Sequence, residues 1–184
     1  MHKAIRLAEA ISPCVLWVDE LEKAFAGIGR GGSEVTTRLF GTFLTWMQEK
    51  TSAAFVVATA NKIKELPPEL LRKGRFDEIF YVPLPEKKER KMIFDIHIKK
   101  RKQDPGKIDI EALVSKTEGY SGADIEGVVC ESVEDVFVKG KTALATGDIL
   151  EAIKNTHSLA EIMKEELEKM DKLYQDRKFK KASR

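Results

Sequence analysis

The run Cys14–Val18 (CVLWV) is apolar at every position, and a strand with no polar position needs cover on both faces, as in a parallel sheet flanked by helices. A second run of this kind, AFVVATA, occupies 54–60. Between them Val35, Leu39, Phe40, Phe43, Leu44 and Met47 recur at helical spacing behind Ser33, a good N-cap, which predicts a helix reaching about Lys50. Ile5, Leu7, Ala8 and Ile11 mark an opening helix that Pro13 interrupts. A short helix is expected from Pro67 and Pro68 to near Gly74, and Ile79–Val82 reads as a third strand stopped by Pro83 and Pro85. Strands alternating with helices specify an α/β fold with a parallel sheet.

Beyond Pro85 no further strand is expected. Helices are predicted at roughly 86–101, 109–117, 122–138, 147–155 and 158–178. The third places Ile125, Val128, Val129, Val133 and Val136 on one face, which makes it the centre of a small all-helical domain. The expected organisation is an α/β part over 1–85, a helical domain over 86–157, and a final helix with a basic tail over 158–184. The glycine-rich GIGRGG at 27–32 should be a mobile loop.

A chain of 184 residues excludes two large domains. Lys plus Arg number 32 against 30 for Asp plus Glu, a formal charge of +2, so no global attraction to nucleic acid or membrane follows. The longest near-continuous apolar stretch, Ala53–Ala60, is too short to cross a bilayer, and residues 1–11 alternate charged with apolar groups, unlike a signal peptide. A cytoplasmic protein is expected. Cys14 and Cys130 have no CxxC spacing and read as two buried free thiols.

Three places carry chemistry. Asp19 and Glu20 stand at the C-terminal end of the first strand, the edge where open α/β sheets hold ligands. Asp19 could hold Mg²⁺ through water while Glu20 deprotonates a water attacking a γ-phosphate; the plain alternative is a solvated turn. Asn61 ends the second run, and pairing of the two strands would bring its amide close to Glu20, where it could bind the attacking water or the phosphate. Otherwise it is an ordinary turn residue. In PPELLRKGRFD, Arg72 and Arg75 could serve a transferring phosphoryl group in a neighbouring subunit. The alternative is a solvated Arg72 and an Arg75 paired to Asp77.

Taken in order, VLWVDE, ATAN, LLRKGRFD, His97 in IFDIHIKK and YSGAD at 120–124 resemble the AAA family of ATPases. The stretch from Gly41 to Pro85 resembles most closely the AAA proteins first described as a hypothetical chloroplast reading frame. The resemblance covers the chain to about residue 155 and implies a partial P-loop-type sheet followed by an all-α lid. It implies ATP and Mg²⁺ as cofactors, with Asp19 serving the metal, Glu20 the catalytic base, Asn61 the sensor of the γ-phosphate, and Arg72 and Arg75 acting on the adjacent subunit's nucleotide. His97, Gly122 and Ala123 would line the adenine and ribose pocket from the lid side, although a packed helix histidine is the alternative for His97. Family members form rings, usually hexamers, that remodel protein partners.

Two motifs are decoys. Gly140, Lys141 and Thr142 spell the end of a phosphate-binding loop, but the glycine required five positions earlier is Asp135, so GKT should connect two helices. Gly27, Gly29 and Gly32 fit GxGxxG without following a strand directly. No GxxxxGK[ST] occurs in the 184 residues. The expectation is therefore the later part of an ATPase module, inactive alone, with exposed apolar surfaces that favour self-association. A non-catalytic, ATPase-like interaction module is the competing function. A nucleic-acid site at Lys99–Lys102 and the basic tail is a third reading, and no aromatic pattern accompanies it.

Overall fold

In the computed structural model, residues 2–25, 28, 34–72, 74–177 and 179–182 are described. They divide into two compact units, Met1–Ile79 and Phe80–Arg184. The expected loop at 27–32, apart from Ile28, and the Ser33 cap lie outside the described residues.

The first unit runs α1 (His2–Ala10), β1 (Cys14–Val18), α2 (Leu21–Ala24), α3 (Glu34–Glu49) and β2 (Ala54–Ala58), followed by 3₁₀ turns at Ile63–Glu65 and Pro68–Leu71. β1 and β2 pair in parallel, from Cys14 opposite Ala54 to Val18 opposite Ala58. α1 lies on the face of Cys14, whose Sγ donates to the Ala8 carbonyl at 3.2 Å. α3 joins it there through Trp46 Nε1, which donates to Glu9 Oε1 at 2.9 Å. Of the face expected on α3, Phe40, Phe43 and Met47 are buried, Leu39 and Leu44 are half-buried and Val35 is 66% exposed; Trp46, outside that set, is buried as well, and Phe25 packs edge-on against Phe40 with ring centroids 5.0 Å apart. Each of the buried side chains contributes about 1.5–3 kcal/mol by leaving water.

The cover expected on both faces of β1 is found on one. Cys14, Leu16 and Val18 are half-buried, whereas Val15 and Trp17 are 64% and 62% exposed, and Phe55, opposite Val15, is 67% exposed. The five apolar positions satisfy a strand, but none of the described residues buries that second face.

The second unit contains β3 (Phe80–Tyr81), α4 (Lys87–Lys100), a 3₁₀ turn at Pro105–Lys107, α5 (Ile110–Ser115), α6 (Gly122–Val138), α7 (Thr146–Asn155), α8 (Leu159–Ile162), α9 (Lys164–Arg177) and β4 (Lys180–Lys181). Its core gathers Phe94 and Ile98 of α4, Leu113 and Val114 of α5, Ile125, Val128, Val129 and Val136 of α6, and Ile149 and Ile153 of α7. Val133 packs against this core while only partly buried. Helix starts are set by side chains that satisfy the free N–H groups of the first turn. Ser121 Oγ accepts from Asp124 N–H at 3.1 Å while Asp124 Oδ2 accepts from Ser121 N–H at 2.7 Å, and Ser158 with Glu161 repeats the arrangement at α8.

Three details depart from the sequence reading. The strand expected at Ile79–Val82 narrows to Phe80–Tyr81 and pairs in parallel with Lys180–Lys181 of the basic tail, where no strand was expected. The last helix is interrupted at Met163, whose φ of −119° and ψ of 28° leave the helical range and separate α8 from α9. Neither cysteine is a buried thiol: Cys14 and Cys130 are both half-buried, and Cys130 Sγ donates to Glu134 Oε1 at 3.3 Å, which raises the Cys130 pKa. Cys130 occupies the flank of α6 beside the apolar stripe, one position past Val129.

Tyr81 stacks on Tyr174 of α9 with ring centroids 4.0 Å apart, and its hydroxyl donates to Asp171. Among the described residues no helix is long and apolar enough to cross a membrane.

Candidate functional site

β2 pairs directly beside β1, so both strands deliver their C-terminal residues to one edge of the first unit. Past Val18 the ladder gives way to a set of contacts centred on Thr59. Its backbone N–H donates to the Val18 carbonyl at 3.0 Å, and its own carbonyl accepts from Leu21 N–H at 2.8 Å. Its hydroxyl donates to Asp19 Oδ1 and accepts from Glu20 N–H at 3.1 Å. One small side chain thereby fixes both acidic residues relative to the second strand.

Glu20 has φ 49° and ψ 55°, a left-handed conformation that costs a non-glycine residue about 1–2 kcal/mol. Such strain persists only where surrounding bonds over-determine the backbone, as the four Thr59 contacts do here, and it concentrates at functional sites. The Glu20 carboxylate meets Lys23 Nζ at 2.6 Å; this hydrogen bond and charge raise the lysine pKa. Both side chains are well exposed, so water screens the pair and leaves the carboxylate free to exchange partners.

Asn61 follows with an exposed side chain, and its backbone N–H donates to Glu22 Oε1 at 3.1 Å. Glu22 is buried at 3% exposure. Neither Thr59 nor Glu22 was singled out from sequence. Thr59 could have been found as the polar position inside an otherwise apolar run; Glu22 reads as one more charge in DELEK, and its partner lies 39 residues away.

Arg72 and Arg75 follow the second 3₁₀ turn of the same unit. Arg72 is exposed at its end, and Arg75, half-buried, donates from Nη1 to the Glu69 carbonyl. A pairing of Arg75 with Asp77 is not among the ion pairs of the described residues.

The other three candidates belong to the second unit. Gly122 and Ala123 form the first turn of α6, and a Cβ on Gly122 would sit 3.9 Å from Ile93 Cδ1, at ordinary contact. His97, on α4, has its side chain 16% exposed with Nδ1 3.4 Å from Glu126 Oε1, too poorly aligned for a hydrogen bond. Lys100, at 2.9 Å, holds the Glu126 carboxyl below its usual range, with His97 adding to the effect. The rejected motif behaves as a connector: Gly140 has φ +68° after the end of α6, and Lys141 pairs with Asp148 of α7 at 2.6 Å. In the basic run, Lys99 and Lys100 are tied to Asp95 and Glu126.

Residues 1–84 match the family described as ATPase family associated with various cellular activities (AAA), and residues 107–151 match the AAA+ lid domain. An "Uncharacterized AAA domain-containing protein ycf46" of Guillardia theta is 45% identical over 173 residues, 93% of this chain and 34% of that protein. A "Cell division cycle protein 48 homolog" of Archaeoglobus fulgidus is 34% identical over 192 residues, 96% of this chain and 26% of its own. A "Proteasome-activating nucleotidase" of Saccharolobus solfataricus is 33% identical over 177 residues, 92% of this chain and 45% of its own. The chain spans about a third of the length of the first of these relatives.

Proposed function

The chain belongs to the AAA family of ATPases, and from that premise we propose that it is part of a module coupling ATP binding and hydrolysis to remodelling of a protein partner. In this reading residues 1–85 are the later part of the ATPase core, 86–157 the lid, and 158–184 a C-terminal helix and tail. The observation that carries it is the joint delivery of Asp19, Glu20 and Asn61 to one edge by two paired parallel strands, with Thr59 clasping the turn.

Asp19 is exposed and offers the hard carboxylate oxygen that Mg²⁺ prefers, and a single carboxylate suffices for an ion that keeps most of its waters. When bound, the ion neutralises charge developing on the transferred phosphoryl group. Glu20 takes the proton of the attacking water, and its exposed pairing with Lys23 is weak enough to be given up. Asn61 presents a neutral amide that bonds the γ-phosphate without adding charge. Arg72 and Arg75 act on the nucleotide of the adjacent subunit, which requires a head-to-tail ring, hexameric by the family's habit. His97, Gly122 and Ala123 contribute the adenine and ribose contacts of the lid. The setting is the cytoplasm.

The 184 residues contain no GxxxxGK[ST], the segment that supplies the NH cradle and lysine for the phosphates. This chain by itself is therefore inactive in our reading. That same feature favours a second reading, a non-catalytic ATPase-like interaction module. Glu20→Gln in the complete protein separates them: ATP binding should persist while turnover falls at least about a hundredfold, as for loss of a general base. Unchanged turnover would remove Glu20 from the chemistry.

A further inference from the structure

Glu22 lies in α2, two residues beyond Glu20, and is 3% exposed. Its Oε1 accepts from the backbone N–H of Asn61 at 3.1 Å, while its Oε2 is buried without a hydrogen-bond partner. A buried carboxylate oxygen without a donor is unfavourable, and an apolar side chain would fill this position at lower cost. What the carboxylate adds is the bond to Asn61. Thr59 already ties the second strand to Asp19, Glu20 and Leu21, but none of its bonds reaches past its own position. Glu22 alone among these links extends to Asn61. The Asn61 side chain is exposed, so burial does little to hold it and its backbone anchor sets where the amide stands.

We propose that Glu22 is a positioning residue: its buried carboxylate fixes the Asn61 backbone and thereby holds the Asn61 side-chain amide at the strand edge beside Glu20. This rests on the reading of Asn61 as the γ-phosphate sensor. A bond that orients a group acting in the reaction changes kcat more than ground-state binding. Two residues that act through one another also give non-additive losses when both are removed.

The test has two arms. In the 184-residue chain, Glu22→Ala should accelerate hydrogen exchange of the Asn61 amide at least tenfold. Glu22→Gln, which keeps an acceptor oxygen, should leave it within about threefold. Where the alanine variant does not fold, Glu22→Leu removes the acceptor while filling the volume. This arm involves no nucleotide, and unchanged Asn61 exchange in both apolar variants overturns the proposal. In the complete ATPase, Glu22→Ala should lower kcat about tenfold with the KM for ATP within twofold, and Glu22→Gln should restore it. Adding Glu22→Ala to Asn61→Ala should cost no more than a further twofold. A tenfold loss on top of Asn61→Ala shows that Glu22 acts elsewhere and overturns the proposal. Wild-type turnover in Asn61→Ala refutes the sensor reading instead, while amide exchange still decides whether Glu22 anchors Asn61.

Discussion

Replacing Glu20 by glycine and by alanine isolates the cost of its left-handed backbone, φ 49° and ψ 55°. Both substitutions remove the carboxylate and its pairing with Lys23, so those losses cancel in the comparison. Alanine still pays about 1–2 kcal/mol to hold the left-handed conformation, which glycine adopts freely. Glycine gives back about 0.4–1 kcal/mol through the larger freedom of its unfolded chain. The glycine variant should be the more stable by about 0.5–1 kcal/mol. With a urea dependence of about 2 kcal/mol per molar, its unfolding midpoint should lie about 0.4 M above that of the alanine variant. The chain has two tryptophans, Trp17 and Trp46, and both lie in the first unit, so their fluorescence reports the unit that contains Glu20. An alanine variant as stable as the glycine variant would refute the strained turn, and with it the argument that the Thr59 contacts hold Glu20 in a pre-set conformation.

In the second unit, Phe94→Ala should cost about 3–5 kcal/mol, because the side chain is fully buried at the centre of the core; a loss below 1 kcal/mol in thermal unfolding followed by circular dichroism would show that it is not. Gly119→Ala should cost about 1–3 kcal/mol by the same measurement, since φ is +79° and the added Cβ would come within 2.7 Å of Ala160 Cβ. Burial raises the pKa of all three tyrosines, and at Tyr81 the Asp171 hydrogen bond adds to it. The folded state thus favours the neutral phenols, so their contribution to stability is complete below the unfolded value near 10 and is lost as pH rises above it. Phenolate absorbance should then appear above pH 10 and together with alkaline unfolding; tyrosines of the folded chain titrating at or below 10 would contradict this.

Elements whose period is dictated by burial were readable from sequence. β1 was found at Cys14–Val18 and α6 at Gly122–Val138 because alternate residues of the strand and the stripe Ile125, Val128, Val129 and Val136 of the helix answer to packing. The cover of Val15 and Trp17 was not readable, since an apolar residue records what it can tolerate and not what is beside it. The partner of Phe80–Tyr81 was equally hidden: a two-residue ladder consists of backbone bonds, and Lys180 and Lys181 carry no apolar signal of a strand. At the candidate site, Asp19, Glu20 and Asn61 were legible as polar ends of apolar runs. Glu22 was not, and Thr59 showed only as a polar break in an apolar run, because their importance comes from bonds spanning 39 or 40 residues of chain. Cys130 shows the opposite error, since one step along a helix separates the flank from the buried stripe.

The ladder between Phe80–Tyr81 and Lys180–Lys181 places the beginning and the end of the second unit on neighbouring strands, about 4.8 Å apart across the hydrogen bonds. Because the strands are parallel, the incoming and outgoing chain are offset by little more than the length of the pair, a gap that a few linker residues can bridge. The second unit is in this respect a cassette. Its ends can be joined and new ones opened at the exposed Gly140–Lys141 connector, or the whole can be carried on another protein by a single short seam.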